Sequence, residues 1–323
     1  MSHTLERAAA GDLELPSPLP DEIQRLTMQW LLSFRSPATR RAYRVHLAQW
    51  LAFAADAGID PLTASRGDGN LWARWLEVPP RNSKPATVAA KLAAVSSWYT
   101  YLFEEDAIPS PRFTAAARPR LDRTHSETRG LLEDEARAMV SAAAADRSPE
   151  AVRTEAVIRL MLSIGPRVSE VCALEVSSLG YERGFRTVRI VGKGQKVRVR
   201  NLPPAPAAAV DRYLSRRAAA AGVAVGELTG PLFATASGRP LSRRYLFDLV
   251  QRIAREAGLE QPERVTPHSL RHTFATIANA RGAQTSRLKD ALGHASEGTT
   301  AVYIHAANQL EHDPSQLVAA VLG

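Results

Sequence analysis

The 323-residue sequence contains a single cysteine, Cys172. That excludes a disulfide framework and any zinc site built on cysteines. No stretch approaches the roughly 18 consecutive apolar residues that a membrane span requires. Residues 1–21 are acidic and carry prolines, and they lack the basic and apolar blocks of a secretory signal. There is no internal repeat, and the only biased tracts are short alanine runs that fit helices. These absences exclude the secreted and membrane classes. A composition that is 45% hydrophobic and 23% charged excludes the disordered class as well. The expectation is a soluble cytoplasmic protein, long enough for two domains. Lysine and arginine total 41 against 33 acidic residues, a formal charge of +8. That excess suggests a polyanionic partner without proving one.

The charge is spread along the chain, with a balance of +2 in residues 1–120 and +6 in residues 121–323. Residues 108–126 hold three prolines, four arginines and no apolar period, so they read as an extended linker. The division expected is a helical domain at 20–108, a linker at 109–128 and a second domain at 129–323. In the first domain, Ser36-Pro37 reads as an N-cap followed by proline at the first helical position. Beyond it, Tyr43, Leu47, Trp50, Leu51 and Ala54 share one face. Ser83 reads as the cap of a further helix, in which Val88, Leu92, Val95, Tyr99 and Leu102 form a stripe. Opposite the stripes lie Arg40, Arg41, Arg44, Lys84 and Lys91, which read either as a solvated face or as a pad resting on phosphates.

The second domain opens with helices at about 133–145 and 150–164. The period then changes to two across residues 185–202. Val188, Ile190, Val197 and Val199 alternate there with Arg189, Arg198 and Arg200, around Gly192-Lys193-Gly194. This is a β-hairpin with Lys193 at or near its tip. Helices resume at Pro204. The fold class is therefore mainly α with a small antiparallel β-sheet.

Four segments stand out in this domain. They are Gly165-Pro166-Arg167-Val168-Ser169-Glu170, Gly192-Lys193-Gly194, His268-Ser269-Leu270-Arg271-His272, and Leu292-Gly293-His294 followed by Tyr303. Taken singly, each has an ordinary structural reading, such as a helix ion pair between Arg167 and Glu170. His268 and His272 have the spacing of zinc ligands, but their neighbour is Arg271, which repels a cation. Reversing the sign of the ligand makes sense of the segment. His268 and Arg271 can address an anion, and with Arg167 and Lys193 they make a cationic pocket suited to phosphate.

Metal-free phosphodiester cleavage needs forked cations on the non-bridging oxygens, a nucleophile in line, and an acid for the leaving oxygen. A phenol, with a pKa of about 10, is a plausible nucleophile once its pocket is cationic. Two arginines, a lysine, two histidines and a tyrosine can fill those roles with no metal and no cofactor.

In this order and with these separations, the segments resemble the tyrosine recombinase (phage integrase) family. The motifs are G-P-R-V-S-E around Arg167, G-K-G-Q-K-V-R around Lys193, H-S-L-R-H-T-F-A-T around His268 and Arg271, L-G-H at His294, and T-T-A-V-Y-I-H around Tyr303. The resemblance spans about residues 129–308 in motif detail. It implies a helical, SAM-like core-binding domain joined to an α+β catalytic domain. Tyr303 is implied to attack the scissile phosphate and leave a 3′-phosphotyrosine, with Arg167 and Arg271 clamping the non-bridging oxygens. Lys193 is implied to be the general acid, His268 an acid–base partner, His294 a phosphate hydrogen-bond donor and Glu170 a residue that orients the pocket. His272 is expected to support the helix.

The resemblance further implies double-stranded DNA with inverted-repeat core sites as the partner. It also implies a homotetramer on two duplexes, linked through exchange of a C-terminal tail bearing Leu317, Val318, Val321 and Leu322. Arg243 and Arg244, in the first turn of a helix capped by Ser242, are expected to meet phosphate or guanine edges. With about 20 residues before the helical domain, no separate arm-binding domain is expected. The expected role is a simple recombinase of a mobile element, acting in the cytoplasm at the nucleoid. A Xer-like resolvase of chromosome or plasmid dimers stands second, because Ile164-Gly165-Pro166 replaces the family's usual Thr-Gly-Leu or Thr-Gly-Met. A type IB topoisomerase and a non-catalytic DNA-binding relative stand behind both.

Overall fold

The computed structural model describes residues 19–120, 130–192 and 195–293. The chain divides into two compact units, Met1–Asp122 and Arg123–Gly323.

The first unit is built from four helices: α1 (Asp21–Ser33), α2 (Pro37–Asp56), α3 (Arg66–Glu77) and α4 (Pro85–Glu104). Each start is set by local chemistry. The Ser36 hydroxyl accepts from the Thr39 N–H with Pro37 in the first turn. Ser65 and Asp68 form a reciprocal capping box at the start of α3. At α4 the cap is Lys84 and not Ser83, because Pro85, with its φ already helical, takes the first position. Both expected stripes face inward: Leu47, Trp50, Leu51 and Ala54 on α2, and Val88, Leu92, Val95, Tyr99 and Leu102 on α4, are buried. Fully burying one large apolar side chain is worth about 1.5–3 kcal/mol, so these two faces contribute a large share of the unit's cohesion, beside Trp30 and Leu31 of α1 and Trp72 of α3.

The reading of residues 108–126 as an extended linker needs correction over its first part. Phe113, in a 3₁₀ turn at Arg112–Ala115, is completely buried, and Ile108 and Ala116 are buried with it. The Phe113 ring stacks on Tyr99 at 4.8 Å and lies 4.7 Å from Trp50. The segment carries no apolar period because one phenylalanine, entering a gap lined by aromatic rings, holds it down. Residues 121–129 lie outside the described residues.

The second unit contains α5 (Glu133–Ala144), α6 (Ala151–Ile164), α7 (Val168–Cys172), α8 (Pro204–Ala221), α9 (Arg243–Glu256), α10 (Pro267–Ala280) and α11 (Thr285–Leu292). Its sheet has strands β1 (Leu179–Glu182), β2 (Phe185–Val191) and β3 (Val197–Asn201), antiparallel in the order β1-β2-β3. Helix α6 is the centre. Ala156, Val157, Ile158, Leu160, Met161 and Ile164 are buried, and the helix packs against α5, α8 and α10. Several arginines of this unit are engaged in its own structure, Arg153 and Arg252 among them. Arg153 donates to the Ala234 carbonyl and the Tyr245 hydroxyl. Arg252 makes a two-pronged pair with Asp146, whose carboxyl is held far below its ordinary pKa by those hydrogen bonds. The fold is mainly α with a small antiparallel sheet, as the periodicity predicts.

In β3 the alternation runs opposite to the apolar-in sense that Val197 and Val199 suggest. Ile190 pairs with Arg198 and Val188 with Arg200, so both arginines share the face of two buried apolar residues. Val197 and Val199 stay exposed. For Arg198 the acceptors come from α7 and α11.

Candidate active site

Helix α6 stops at Gly165, which adopts the left-handed conformation with φ +60° and ψ +41°. A Cβ there would come within 2.6 Å of Phe274 on α10, so both conformation and space call for glycine. Pro166 then leads into Arg167, the N-cap of α7. Within this turn Glu170 reaches back: its Oε2 accepts from the Arg167 backbone N–H at 2.8 Å. Its Oε1 accepts from Arg167 Nη1 at 3.0 Å and pairs with Arg198 Nη2 at 2.9 Å. The Glu170 side chain is 4% exposed, so two guanidinium groups share one buried carboxylate. A buried acid needs such partners, and the acid in turn fixes both forks.

Arg271, on α10, is fully buried. Its Nη1 donates to the Gly165 carbonyl at 2.7 Å, and its Nη2 donates to the Leu292 carbonyl. The end of α11 is thus a meeting point. Arg198 Nη1 donates to the Leu292 carbonyl at 2.9 Å, and Arg167 Nη2 to the Gly293 carbonyl at 3.3 Å. The last carbonyls of a helix lack partners within the helix and carry the negative end of its dipole, which suits three cations.

His268 lies in the first turn of α10, which Thr266 caps by accepting from the Ser269 N–H. Its ring meets that of His272 edge to face, with centroids 4.8 Å apart. His268 keeps an exposed surface, while His272 is buried. Partial burial, then Arg271 and Arg167, push the His268 pKa down, which favours the neutral imidazole. Arg200 is half-buried, 5.8 Å above the Phe274 ring, with no carboxylate partner among the described residues. Burial and the neighbouring Arg198 push its pKa down too.

The structure therefore brings Arg167, Glu170, His268 and Arg271 into one arrangement. Lys193, His294 and Tyr303 lie outside the described residues, as does the C-terminal tail. Beside the undescribed residues 193–194, the Gly192 N–H donates to the Lys196 carbonyl at 2.8 Å. A Cβ at Gly192 would stand 3.4 Å from Glu170 Oε1, so Gly192 adjoins the shared carboxylate. Arg198 and Arg200 were not legible as site residues. A valine–arginine alternation has the same period whichever set faces inward.

The remaining DNA-contact candidates divide by engagement. Arg40 donates to the Phe34 carbonyl at 2.8 Å, which ties down the turn after α1. Arg41 is exposed, Arg44 is half-exposed, and Lys84 sits at the α4 N-terminus. Lys91 is half-buried, and burial with the nearby Arg81 lowers its pKa. Ser242 caps α9 as expected. Arg243 is exposed in its first turn, but Arg244 pairs with Asp248 one turn on at 3.0 Å. No described helix is long and apolar enough to cross a membrane.

Arg167, Arg198 and Arg271 at the end of α11, a buried glutamate shared by two of them, and a histidine whose pKa is lowered by burial and by Arg271 and Arg167 make a cationic pocket suited to an anion. Residues 129–309 match the phage integrase family and residues 30–106 match the phage integrase N-terminal SAM-like domain, so the chain belongs to the phage integrase family of tyrosine site-specific recombinases. It is 32% identical to the tyrosine recombinase XerC of Corynebacterium efficiens over 276 residues, covering 85% of this chain and 83% of that one. It is 34% identical to the tyrosine recombinase XerD of Xanthomonas axonopodis pv. citri over 232 residues, covering 71% of this chain and 74% of that one.

Among solved structures, the fold is similar to the XerH recombinase in a post-cleavage complex with a palindromic difH substrate. The TM-score is 0.71 at 19% identity, covering 97% of this chain and 93% of that chain. It is also similar to the Tn1549 transposon integrase in complex with circular-intermediate DNA, with a TM-score of 0.66 at 17% identity over 90% and 99%. The protein is thus a Xer-like tyrosine recombinase. The mobile-element role placed first on sequence grounds gives way to the Xer-like one. The departure at Ile164-Gly165-Pro166 proves a weak discriminator, because Gly165 still ends α6 and Arg167 still caps α7.

Proposed function

We propose that the protein is a Xer-like recombinase that resolves dimers of chromosome or plasmid DNA at a specific inverted-repeat site. The observation that carries this reading is the similarity to XerC, which runs through both units. The transposon integrase shares the fold at an identity too low to speak for function.

The chemistry proposed follows from the site. Arg167 and Arg271 hold the two non-bridging oxygens of the scissile phosphate, and neutral His268 receives the phenolic proton of Tyr303. The Tyr303 oxygen bonds to phosphorus as the bond to the 5′-oxygen breaks, and Lys193 protonates that leaving oxygen. His294 donates a hydrogen bond to the phosphate. One phosphoester replaces another, so reversal by an incoming 5′-hydroxyl needs no ATP, and two rounds of exchange pass through a Holliday junction. Identical protomers on one duplex call for inverted repeats, and two duplexes call for four protomers. Exchange of the apolar tail after residue 308 would link them. The DNA substrate itself supports action at the nucleoid.

A nicked duplex that traps the covalent intermediate tests this reading. The wild-type protein should form a 3′-phosphotyrosyl adduct and Tyr303→Phe should form none. An adduct with Tyr303→Phe overturns the assignment of the nucleophile. Sequencing the trapped DNA should return one inverted-repeat chromosomal or plasmid site, whereas junctions at the ends of an inserted element would restore the integrase role.

A further inference from the structure

Arg198 lies in the middle of β3 with a side chain 13% exposed, at the last position of G-K-G-Q-K-V-R, where the sequence reading gave it no role. Both arms of its fork are engaged. Nη2 meets Glu170 Oε1 at 2.9 Å, the same oxygen that takes Arg167 Nη1. Nη1 meets the Leu292 carbonyl at 2.9 Å, the same oxygen that takes Arg271 Nη2. One guanidinium thus shares an acceptor with each of the two phosphate-clamp arginines. A separate observation points the same way. Gly293 has φ +63°, and a Cβ there would fall 1.6 Å from Arg198 Nη1 and 2.7 Å from its Cζ. The glycine of Leu-Gly-His leaves bare backbone for this guanidinium to lie against, one residue before His294.

We propose that Arg198 is a positioning residue for strand cleavage: it sets the spacing of Arg167 and Arg271 by bridging Glu170 to the end of α11. With both arms occupied by protein acceptors, it acts through the other two arginines and not on phosphate. A planar fork can hold two acceptors at a fixed separation, which the single ammonium of lysine cannot do. The inference rests on the proposed clamp roles of Arg167 and Arg271 and goes beyond them.

The test uses the full-length protein and the nicked trapping duplex, in wild type, Arg198→Met, Arg198→Lys and Arg167→Ala. DNA affinity is read by gel shift, and the single-turnover rate of adduct formation is read on the ordinary phosphate and on a 5′-bridging phosphorothiolate. That sulfur leaves without an acid, so it bypasses Lys193. Both Arg198 variants should bind DNA within about threefold of wild type and form adduct about 10- to 100-fold more slowly. That is on the order of the loss from a misplacement of about 1 Å. The deficit should be equal on both substrates, and Glu170→Gln combined with Arg198→Met should be little slower than the slower single variant.

A folded Arg198 variant cleaving within twofold of wild type overturns the proposal. So does a deficit that the bridging sulfur relieves, because that loss arises at the leaving oxygen and not at the clamp. If Arg198→Met loses its folded circular dichroism, Arg198→Lys decides alone, since it keeps the charge and loses the fork. Wild-type protein that forms no adduct, or Arg167→Ala that cleaves normally, would instead count against the clamp reading itself.

Discussion

His268 is the residue whose protonation state the structure biases most clearly for chemistry. Burial and two arginines hold its folded pKa below the ordinary value of about 6.5. The unfolded chain therefore binds the proton more readily. The contribution to stability is complete above about pH 6.5 and is lost as the pH falls through that value toward the folded pKa. Titration of the His268 imidazole by NMR should give a midpoint below 6.5, and a bound duplex should move it upward, because phosphate charge opposes the two arginines. A midpoint at or above 6.5 in the free protein contradicts this picture. At the same scale the arginines separate into two groups that residue type alone does not distinguish. Arg153 and Arg252 are spent on structure, and Arg244 has Asp248 beside it.

At the scale of elements, the helices were legible because their buried stripes repeat every three to four residues and their caps are chemically explicit. Serine at positions 36, 65 and 242 caps a helix each time. Two elements were not legible. In β3 a period of two reports alternation but not which set is buried, and the choice depends on Glu170 and Leu292, which lie far from β3 in sequence. In residues 108–117 a single buried phenylalanine creates no period at all. Its weight is testable: Phe113→Ala removes a ring packed between Trp50 and Tyr99 and should cost about 3–5 kcal/mol. Chemical denaturation followed by tryptophan fluorescence reads this directly, since Trp50 and Trp72 surround the site. A loss under about 1 kcal/mol would mean that the segment is a linker after all.

At the scale of the whole molecule, the charge of +8 gains meaning from how much of it is already engaged. Each cation that meets a DNA phosphate should contribute about 0.9 to the slope of log affinity against log salt. Exposed Arg41 is such a candidate, whereas Arg40 holds the Phe34 carbonyl. Arg41→Ala should weaken DNA binding uniformly across sequences and flatten the salt slope by about one unit, while Arg40→Ala should lower the melting temperature and leave the slope near that of wild type. Filter binding over a salt series with thermal melts separates the two. An unchanged slope for Arg41→Ala removes that residue from the interface.

Residue types in order were enough to mark the resemblance to the tyrosine recombinase family, which in turn implies the reaction class. Helix periodicity was enough to place most of the scaffold. Only the tertiary structure decided which cations serve the site and how. Arg167 reaches a carbonyl 126 residues away and Arg198 one 94 residues away. The strand face that Arg198 occupies and the need for glycine at 293 follow from such contacts, while the need for glycine at 165 follows from its approach to Phe274. The physical reason is that a buried guanidinium is placed by its acceptors, and here these come from helix ends and a carboxylate that only folding brings to it.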